Sequence, residues 1–178
     1  MASPIVHRFI DAESVARNAA NDFINRVASL LNAKPEVHVM LTGGTVGIAT
    51  LAAISEAENR DSVDFTKVHF WWGDERFVAS DSADRNSLQA YKALLSKIIL
   101  DAEKVHEFPA TDNGLLLNDA ADQFEATVRA INPHFDIAFV GMGPDGHICS
   151  LFPGKPTPPA GRLVIAEHDS PKPPPQRL

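Results

Sequence analysis

The strongest constraint on the fold is a pattern that occurs three times: a short apolar run ends directly in a polar segment that contains glycine. The apolar runs cover residues 37–41, 68–72 and 135–140, and the polar segments that follow them cover residues 42–45, 73–76 and 141–147. Runs of this kind are typical of strands that are buried on both faces of a sheet. Stretches with helical spacing separate them, so the strands are predicted to pair in parallel.

The spacing of the other apolar residues predicts four helices and two shorter strands. The helices are expected at residues 11–32, 46–58, 88–98 and 120–131, and the shorter strands at 105–108 and 163–166. Asn86 or Ser87 is expected to cap the third helix. The sequence thus predicts a single α/β domain over residues 1–178, with a doubly wound, mostly parallel, Rossmann-like sheet flanked by helices. Because ligands bind beyond the carboxyl ends of such strands, the three polar segments should converge at one edge.

Composition excludes several classes of protein. The 178 residues include 16 basic and 23 acidic side chains, a net charge of -7, which argues against nucleic acid or an anionic membrane as a partner. No apolar run approaches the roughly 20 residues of a membrane span, and residues 1–5 lack the pattern of a secretory signal. Cys149 is the only cysteine, which leaves no intrachain disulfide and no cysteine-cluster zinc site. We expect a cytoplasmic protein, monomeric or dimeric.

The segment after the first apolar run is a candidate anion site. It reads Thr42-Gly43-Gly44-Thr45 and leads into a predicted helix. Glycines allow close backbone approach, and the helix N-terminus favours a phosphate. A purely structural turn from strand to helix is equally compatible with this segment. The pattern is neither the GxGxxG fingerprint nor the P-loop, which argues against nucleotide binding.

The second segment, Asp74-Glu75-Arg76, adds charge to the same edge. Arg76 can hold a phosphate or carboxylate through two parallel hydrogen bonds. Successive side chains alternate in direction, so only one of Asp74 and Glu75 should face a ligand, while the other orients Arg76 or caps a turn. The alternative is a solvated charge cluster on a loop.

The third segment, residues 141–154, contains four glycines and two prolines, which should fix the path of the loop. Asp145 lies two residues before His147, and a carboxylate beside an imidazole can hold it as a general base. The other six histidines lie in predicted strands or on presumed surfaces and are interpreted as structural. Cys149 is interpreted as a packing residue.

The proline-rich tail, residues 170–178, is open to three interpretations. It is a disordered end, a polyproline ligand for a partner protein, or a segment that returns Lys172 and Arg177 to the anionic site.

Together these segments resemble the 6-phosphogluconolactonases. The long run Gly-Met-Gly-Pro-Asp-Gly-His, followed by Ser-Leu-Phe-Pro-Gly, is highly specific, and it spans residues 141–154 here with Ile148 and Cys149 in place of a common Thr-Ala pair. Gly43-Gly44-Thr45, Asp74-Glu75-Arg76 and the Pro-Lys-Pro-Pro tail also match, with Thr42 at a usual serine position.

The resemblance implies a fold related to the glucosamine-6-phosphate isomerase/deaminases, no metal or organic cofactor, and a sugar phosphate lactone as substrate. It implies that His147 activates water, that Asp145 orients it, and that Arg76 or amides around Gly143 stabilise the oxyanion. The residues implied in substrate or phosphate binding are Thr42, Gly43, Gly44, Thr45, Asp74, Arg76, Gly143, Lys172 and Arg177.

Members of the family usually continue through further strand–helix units, so the resemblance implies that this chain lacks those C-terminal units. Three alternatives remain. The first is an isomerase or deaminase of the same fold, which Arg76 and Ser150-Leu151-Phe152-Pro153 argue against. The others are a non-catalytic sugar-phosphate binder and a protein-interaction module that uses the proline-rich tail.

Overall fold

The computed structural model describes residues 3–178 as a parallel sheet with helices packed against it. The helices are α1 (Ala12–Leu31), α2 (Thr45–Glu56), α3 (Asn86–Ala93) and α4 (Leu117–Ile131), and the strands are β1 (Val37–Leu41), β2 (Val68–Trp72) and β3 (Phe135–Ala138). Short 3₁₀ turns lie at Arg60–Ser62, Phe65–Lys67, Leu95–Lys97, Ala102–Lys104 and Thr111–Asn113. The strand order is β2-β1-β3, and both pairs are parallel. The predicted α/β class and parallel sheet are therefore confirmed.

The register of the sheet brings the strand ends together. Val37 lies opposite Val68, and Leu41 lies opposite Trp72. The hydrogen bond from Gly73 N to Leu41 O, 3.0 Å long, continues this pairing beyond β2. On the other side of β1, the amide of Phe139 donates to Met40 O at 2.8 Å. The segments that follow the three strands thus leave the sheet at one edge.

A single apolar core holds the helices to the sheet. Its fully buried members come from both the helices and the strands, and include Phe23, Ile24 and Val27 of α1, Leu51 and Ile54 of α2, Val37, Val39 and Leu41 of β1, and Val68 and Phe70 of β2. Helix α1 begins where Asp11 accepts a 2.7 Å hydrogen bond from Ser14 N, which satisfies one of the free amides of its first turn. Burial of these side chains is the main stabilising contribution to the fold.

Three histidines form a stack at the edge of this core. The ring of His69 lies 4.2 Å from that of His38 and 5.2 Å from that of His106, and His106 stacks on Trp71 at 3.8 Å. His69 Nδ1 is 2.9 Å from His106 Nε2, and Trp71 Nε1 donates to His38 Nδ1 at 3.1 Å. Partial burial and the charge of His69 lower the pKa of His38, while partial burial and the charges of both neighbours lower the pKa of His106 to about 4.

Several predicted element bounds are wrong. Residues 105–108 form no strand; Val105 makes one isolated parallel bridge to Phe70 before Pro109 intervenes. Residues 163–166 form no strand either. Helix α3 ends at Ala93 rather than near Ile98, because Leu94 adopts φ -135° and ψ -55°. The predicted cap is also wrong: Arg85 occupies the N-cap position, and Asn86 and Ser87 lie inside the helix.

The C-terminal residues pair with the segment that follows β2. Glu75 and Leu178 exchange two backbone hydrogen bonds of 2.9 Å, and Phe77 N donates to Gln176 O at 3.0 Å. On the other side of the tail, Arg177 and Glu167 exchange two backbone hydrogen bonds of 2.8 Å. Leu178 is buried. The end of the tail is therefore paired with the body of the protein, as the third interpretation expects, rather than free.

Among residues 3–178, no helix combines the length and the apolar character that crossing a membrane requires.

Candidate active site

The three polar segments converge with the tail around one cleft at the carboxyl edge of the sheet. The cleft has a volume of about 730 Å³. Its lining residues include Thr42, Gly43, Gly44, Thr45, Asp74, Arg76, Asn86, Gly143, His147, Cys149, Lys172 and Arg177. All the residues implied in substrate binding or catalysis line it except Asp145, which reaches it through His147. The predicted convergence is confirmed.

The glycine segment forms the start of α2. Gly44 is the N-cap residue and has φ 82°, a conformation that favours glycine, and no side chain caps the helix. The amides of the first turn therefore have no partner within the helix, and the helix dipole adds partial positive charge at this point. This part of the cleft is suited to an anion.

Asp74 and Glu75 take different directions, as expected. Glu75 is completely buried and accepts hydrogen bonds from the amides of Arg76, Asn86 and Ser87, at 2.8, 2.7 and 2.9 Å. It therefore ties α3 to the end of β2, and burial raises the pKa of its carboxyl group.

Asp74 lines the cleft, but its carboxylate already has protein partners. Oδ2 accepts a 2.7 Å hydrogen bond from Ser150 Oγ and lies 3.8 Å from Arg177 Nη1. Asp74 thus links the histidine loop and the C-terminal tail to the end of β2.

Two guanidinium groups give the cleft positive charge. Arg76 donates through Nη1 to the carbonyl of Asp84, and its Nε has no hydrogen-bond partner among the described residues. Arg177 donates to the carbonyls of Lys172, Pro173 and Pro174 at 3.1–3.2 Å, which fixes the turn of the tail. Burial, and then the nearby charge of Arg76, lower the pKa of Arg177. An anion placed between the two groups would relieve their repulsion.

His147 is held by two charged neighbours. Its Nδ1 lies 2.5 Å from Asp145 Oδ1 and 3.1 Å from Lys172 Nζ, and Lys172 Nζ is 3.2 Å from the same carboxylate oxygen. The hydrogen bond to His147, supported by Lys172, lowers the pKa of Asp145 to about 2. With Nδ1–H donating to Asp145, Nε2 carries the lone pair, which is the arrangement a general base requires.

Gly143 lines the cleft, but its amide already has a partner. Its amide donates a 2.9 Å hydrogen bond to the carbonyl of His147, so this N–H is not free to bind an oxyanion. A Cβ atom at position 143 would lie 2.0 Å from His147 Cε1. Gly143 therefore allows the imidazole to pack closely against the loop, and Arg76 is the other oxyanion donor that the resemblance implies.

Sequence reasoning missed two residues near the cleft, whereas Cys149 is a packing residue as expected. Asn86 was assigned to capping only, Ser150 received no role beyond its place in the motif, and neither has a local sequence signal for its contact with Asp74. Cys149 is half-buried with φ 49°, and burial, with the charge of Asp74, raises the pKa of its thiol to about 11. A thiol of this kind is not a nucleophile at neutral pH. Among residues 3–178, no group of three or more His, Cys, Asp or Glu side chains is placed to hold a metal ion.

Comparison with known proteins agrees with this geometry. The profile of the glucosamine-6-phosphate isomerases/6-phosphogluconolactonase family matches residues 10–178. The chain belongs to this family. Within it, the 6-phosphogluconolactonase of Streptomyces coelicolor is 37% identical over 98% of this chain and 70% of its own length. The 6-phosphogluconolactonase of Mycobacterium tuberculosis is 36% identical over 99% of this chain and 74% of its own length.

Solved structures in the family share the fold. The 6-phosphogluconolactonase of Thermotoga maritima superposes with a TM-score of 0.80 at 25% identity, covering 95% of this chain and 73% of that one. A monomeric glucosamine-6-phosphate deaminase has a TM-score of 0.62 at 17% identity, over 79% of this chain and 56% of that one, which reflects the shared fold alone. The predicted family is thus confirmed.

Proposed function

We propose that this protein hydrolyses 6-phospho-D-glucono-1,5-lactone to 6-phospho-D-gluconate, the lactone-opening step of the oxidative pentose phosphate pathway. The observation that carries the proposal is the pair His147–Asp145, placed in a cleft that also holds a free helix N-terminus and two guanidinium groups. The relatives named 6-phosphogluconolactonase at 36–37% identity support the same reaction.

In the proposed reaction, His147 is the general base. Its Nε2 takes a proton from a water molecule whose oxygen attacks C1 of the lactone, and the carbonyl oxygen becomes an oxyanion. The bond between C1 and the ring oxygen then breaks, and the imidazolium returns the proton to that ring oxygen. Asp145 holds the tautomer and stabilises the imidazolium, because its pKa of about 2 keeps it ionised throughout this cycle.

Arg76 is the proposed oxyanion donor. Its side chain lines the cleft, and the hydrogen bond from Nη1 to the carbonyl of Asp84 holds the guanidinium group in place. Its Nε is buried and has no partner among the described residues. A preorganised cation at the developing charge stabilises the transition state more than the neutral carbonyl of the ground state.

The phosphate is proposed to bind at the start of α2, where Thr42, Gly43, Gly44 and Thr45 present amides and hydroxyls. Arg177 supplies charge from the tail, and the binding energy of the remote phosphate positions the reacting carbon. We assign Asp74 an indirect role, because a carboxylate that is hydrogen-bonded to Ser150 and ion-paired with Arg177 orients those groups and would repel a phosphate.

Lys172 is proposed to act at the reacting end of the cleft. Its ammonium group donates to Asp145 at 3.2 Å and lies 3.1 Å from His147 Nδ1, which itself donates to Asp145. Lys172 therefore orders the carboxylate that holds the base, and it can also bind a hydroxyl of the sugar acid. This places the substrate contact expected of Lys172 near the lactone carbonyl.

The test is hydrolysis of freshly prepared lactone by the wild-type chain, His147→Ala and the control His134→Ala. His134 is a highly exposed histidine outside the cleft. We expect a rate above the spontaneous background that falls about a hundred- to ten-thousand-fold in His147→Ala and is unchanged in the control. Retention of the rate in His147→Ala would exclude the proposed base. A folded wild-type sample that binds 6-phosphogluconate without hydrolysis would instead indicate a non-catalytic binder.

A further inference from the structure

Asn86 has a contact that neither capping nor the proposed chemistry explains. It is the first residue of α3, is 1% exposed, and lies at the floor of the cleft. Its Nδ2 donates a 2.9 Å hydrogen bond to the carbonyl of Asp74 and lies 3.5 Å from Asp74 Oδ1. Within residues 3–178, its Oδ1 accepts no hydrogen bond from an N–H or O–H group. A buried carbonyl oxygen without a donor is costly, so its position needs a reason.

Asn86 Oδ1 is in close contact with the glycine segment, residues 42–45. A Cβ atom at Gly43 would lie 1.9 Å from Asn86 Oδ1, 2.5 Å from Cγ and 3.0 Å from Nδ2, and these are its three nearest neighbours. The side chain of Asn86 therefore fills the space that any other residue at position 43 would need. A weak contact from the Cα–H of Gly43 is the interaction available to Oδ1 there.

We infer that Asn86 is a positioning residue that sets the distance between the phosphate-binding glycine segment and the Asp74–Arg76 segment. One end of its amide is fixed to Asp74, and the other end contacts Gly43. Asn86 is itself anchored, because its own amide donates to the buried Glu75 at 2.7 Å. The side chain is thus a spacer between the loops that follow β1 and β2. This inference rests on the proposed function, since it concerns where that function places the phosphate.

The role requires glycine at position 43 for a steric reason. Gly44, the next residue, has φ 82°, and nothing lies within 4 Å of a Cβ built on it, so its requirement is conformational. Gly43 has no left-handed φ, so an alanine there is opposed by Asn86 rather than by the backbone. Removing the Asn86 side chain should therefore make an alanine at position 43 tolerable.

The test is a double-mutant cycle of Asn86→Ala, Gly43→Ala and the double variant, assayed with the phosphorylated lactone and with inorganic phosphate as a competitive inhibitor. For Asn86→Ala we expect KM and the phosphate inhibition constant to rise together about tenfold, with kcat changed less than about threefold. Gly43→Ala should lose about a hundredfold in kcat/KM, as expected for a displacement of about 1 Å in the site. The double variant should recover to within about threefold of Asn86→Ala.

Gln89→Ala is the matched control. Gln89 lies on the same helix and donates to the carbonyl of Ala83, away from the glycine segment, so its kinetic constants should match the wild type. A KM and a phosphate inhibition constant that stay within twofold of wild type in Asn86→Ala would overturn the positioning role. If Gly43→Ala lowers kcat/KM by the same factor in the wild type and in the Asn86→Ala background, the steric contact is rejected.

Failure of the positioning role and failure of the proposed function give different results. Absence of hydrolysis by the folded wild type would refute the function, and the same four proteins would then be titrated with 6-phosphogluconate. Thermal melting of the cycle tests the contact without any ligand: the loss of stability in Gly43→Ala should be relieved in the double variant. Additive losses of stability would reject the contact even if every variant proved inactive.

Discussion

Two regions of the molecule contribute to the site in different ways. Residues 12–138 contain the helices and strands described and nearly all of the buried apolar side chains. Residues 139–178 contain only isolated bridges, yet they carry His147, Asp145, Lys172 and Arg177. The first region places the anion-binding end of the cleft through the ends of its strands, and the second brings the proposed base to it.

The two regions are also held together differently. The sheet region is stabilised by burial of apolar surface, which is large and not directional. The loop region is joined to the sheet region by polar contacts of Ser150 with Asp74 and of Arg162 with Asp122 and Glu125, and by the pairing of Leu178 with Glu75. It adds only three buried apolar side chains, those of Phe152, Val164 and Leu178. Contacts of the first kind should govern the stability of the fold, while contacts of the second kind should govern activity.

The largest effect is expected where the two regions meet, at Glu75. Glu75→Ala removes the acceptor of three amides. It also removes the nearer of the two carboxylates beside the buried Arg85, at 3.8 Å, and leaves only the half-exposed Glu107 at 3.9 Å. We expect a loss of about 3–5 kcal/mol in the free energy of unfolding, measured by urea denaturation. Asp81→Ala, at an exposed position in the same loop, is the control and should change stability by less than about 0.5 kcal/mol. A loss below about 1 kcal/mol for Glu75→Ala would show that the junction does not depend on this carboxylate.

Ser150→Ala should separate activity from stability. It breaks the hydroxyl–carboxylate bond that ties the histidine loop to Asp74, and one such bond to a charged group contributes about 1.5 kcal/mol. We expect kcat/KM to fall about tenfold, since the loop that carries His147 is no longer fixed. The free energy of unfolding should fall by no more than about 1.5 kcal/mol, well below the loss expected for Glu75→Ala. Ser96→Ala, on an exposed turn, serves as the control. A variant with full activity and reduced stability would reverse the assignment of roles.

The pH dependence of stability should differ between the regions. The pKa of His106 is lowered to about 4, below the value near 6.5 expected in the unfolded chain. As the pH falls, the unfolded state therefore takes up a proton on His106 before the folded state does. The stability associated with neutral His106 is complete above about pH 6.5 and is lost between about pH 6.5 and 4. The pKa of Asp145 is lowered from 3.8 to about 2, so its contribution to stability is complete above about pH 4 and is lost as the pH falls from there through 2.

We expect the urea midpoint of the wild type to decrease from pH 7.5 to pH 5. His106→Phe keeps a ring on Trp71 but removes the titrating group, so its midpoint should change less over the same range. His38, His69, Glu36, Lys104, Lys34 and Asp136 also act on the stack and remain in both proteins. If the urea midpoint changes equally with pH in both proteins, those other groups and not His106 cause the loss of stability.

The smallest effect is expected at Cys149. Its thiol is half-buried beside Asp74, and its pKa of about 11 leaves very little thiolate at pH 8. Iodoacetamide should react slowly with the native protein and rapidly with the protein unfolded in urea. Activity should survive the exposure of the native protein to the reagent. Rapid inactivation at pH 8 would show that the loop region opens far more often than its contacts imply.

The sequence predicted the regular region better than the loop region. The bounds of β1 and β2 agree with the apolar runs to the residue, because an uninterrupted apolar run is a local signal. The strands expected at 105–108 and 163–166 are absent, because short apolar runs pack against the core as well in irregular backbone as in a strand. The early end of α3 depends on the backbone of Leu94, which no periodicity reveals.

The sequence by itself determined that three polar segments follow three buried strands, and parallel pairing then requires them to meet at one edge. It also placed Asp145 two residues from His147, close enough for the contact that forms. Only the tertiary structure decided that Glu75 is buried while Asp74 faces the cleft, and that the amide of Gly143 is occupied. It alone brought Asn86 against Gly43 and paired the tail with the segment after β2. The reason is physical: spacing along the chain fixes the relation of near neighbours, whereas contacts between distant segments depend on how the whole core packs.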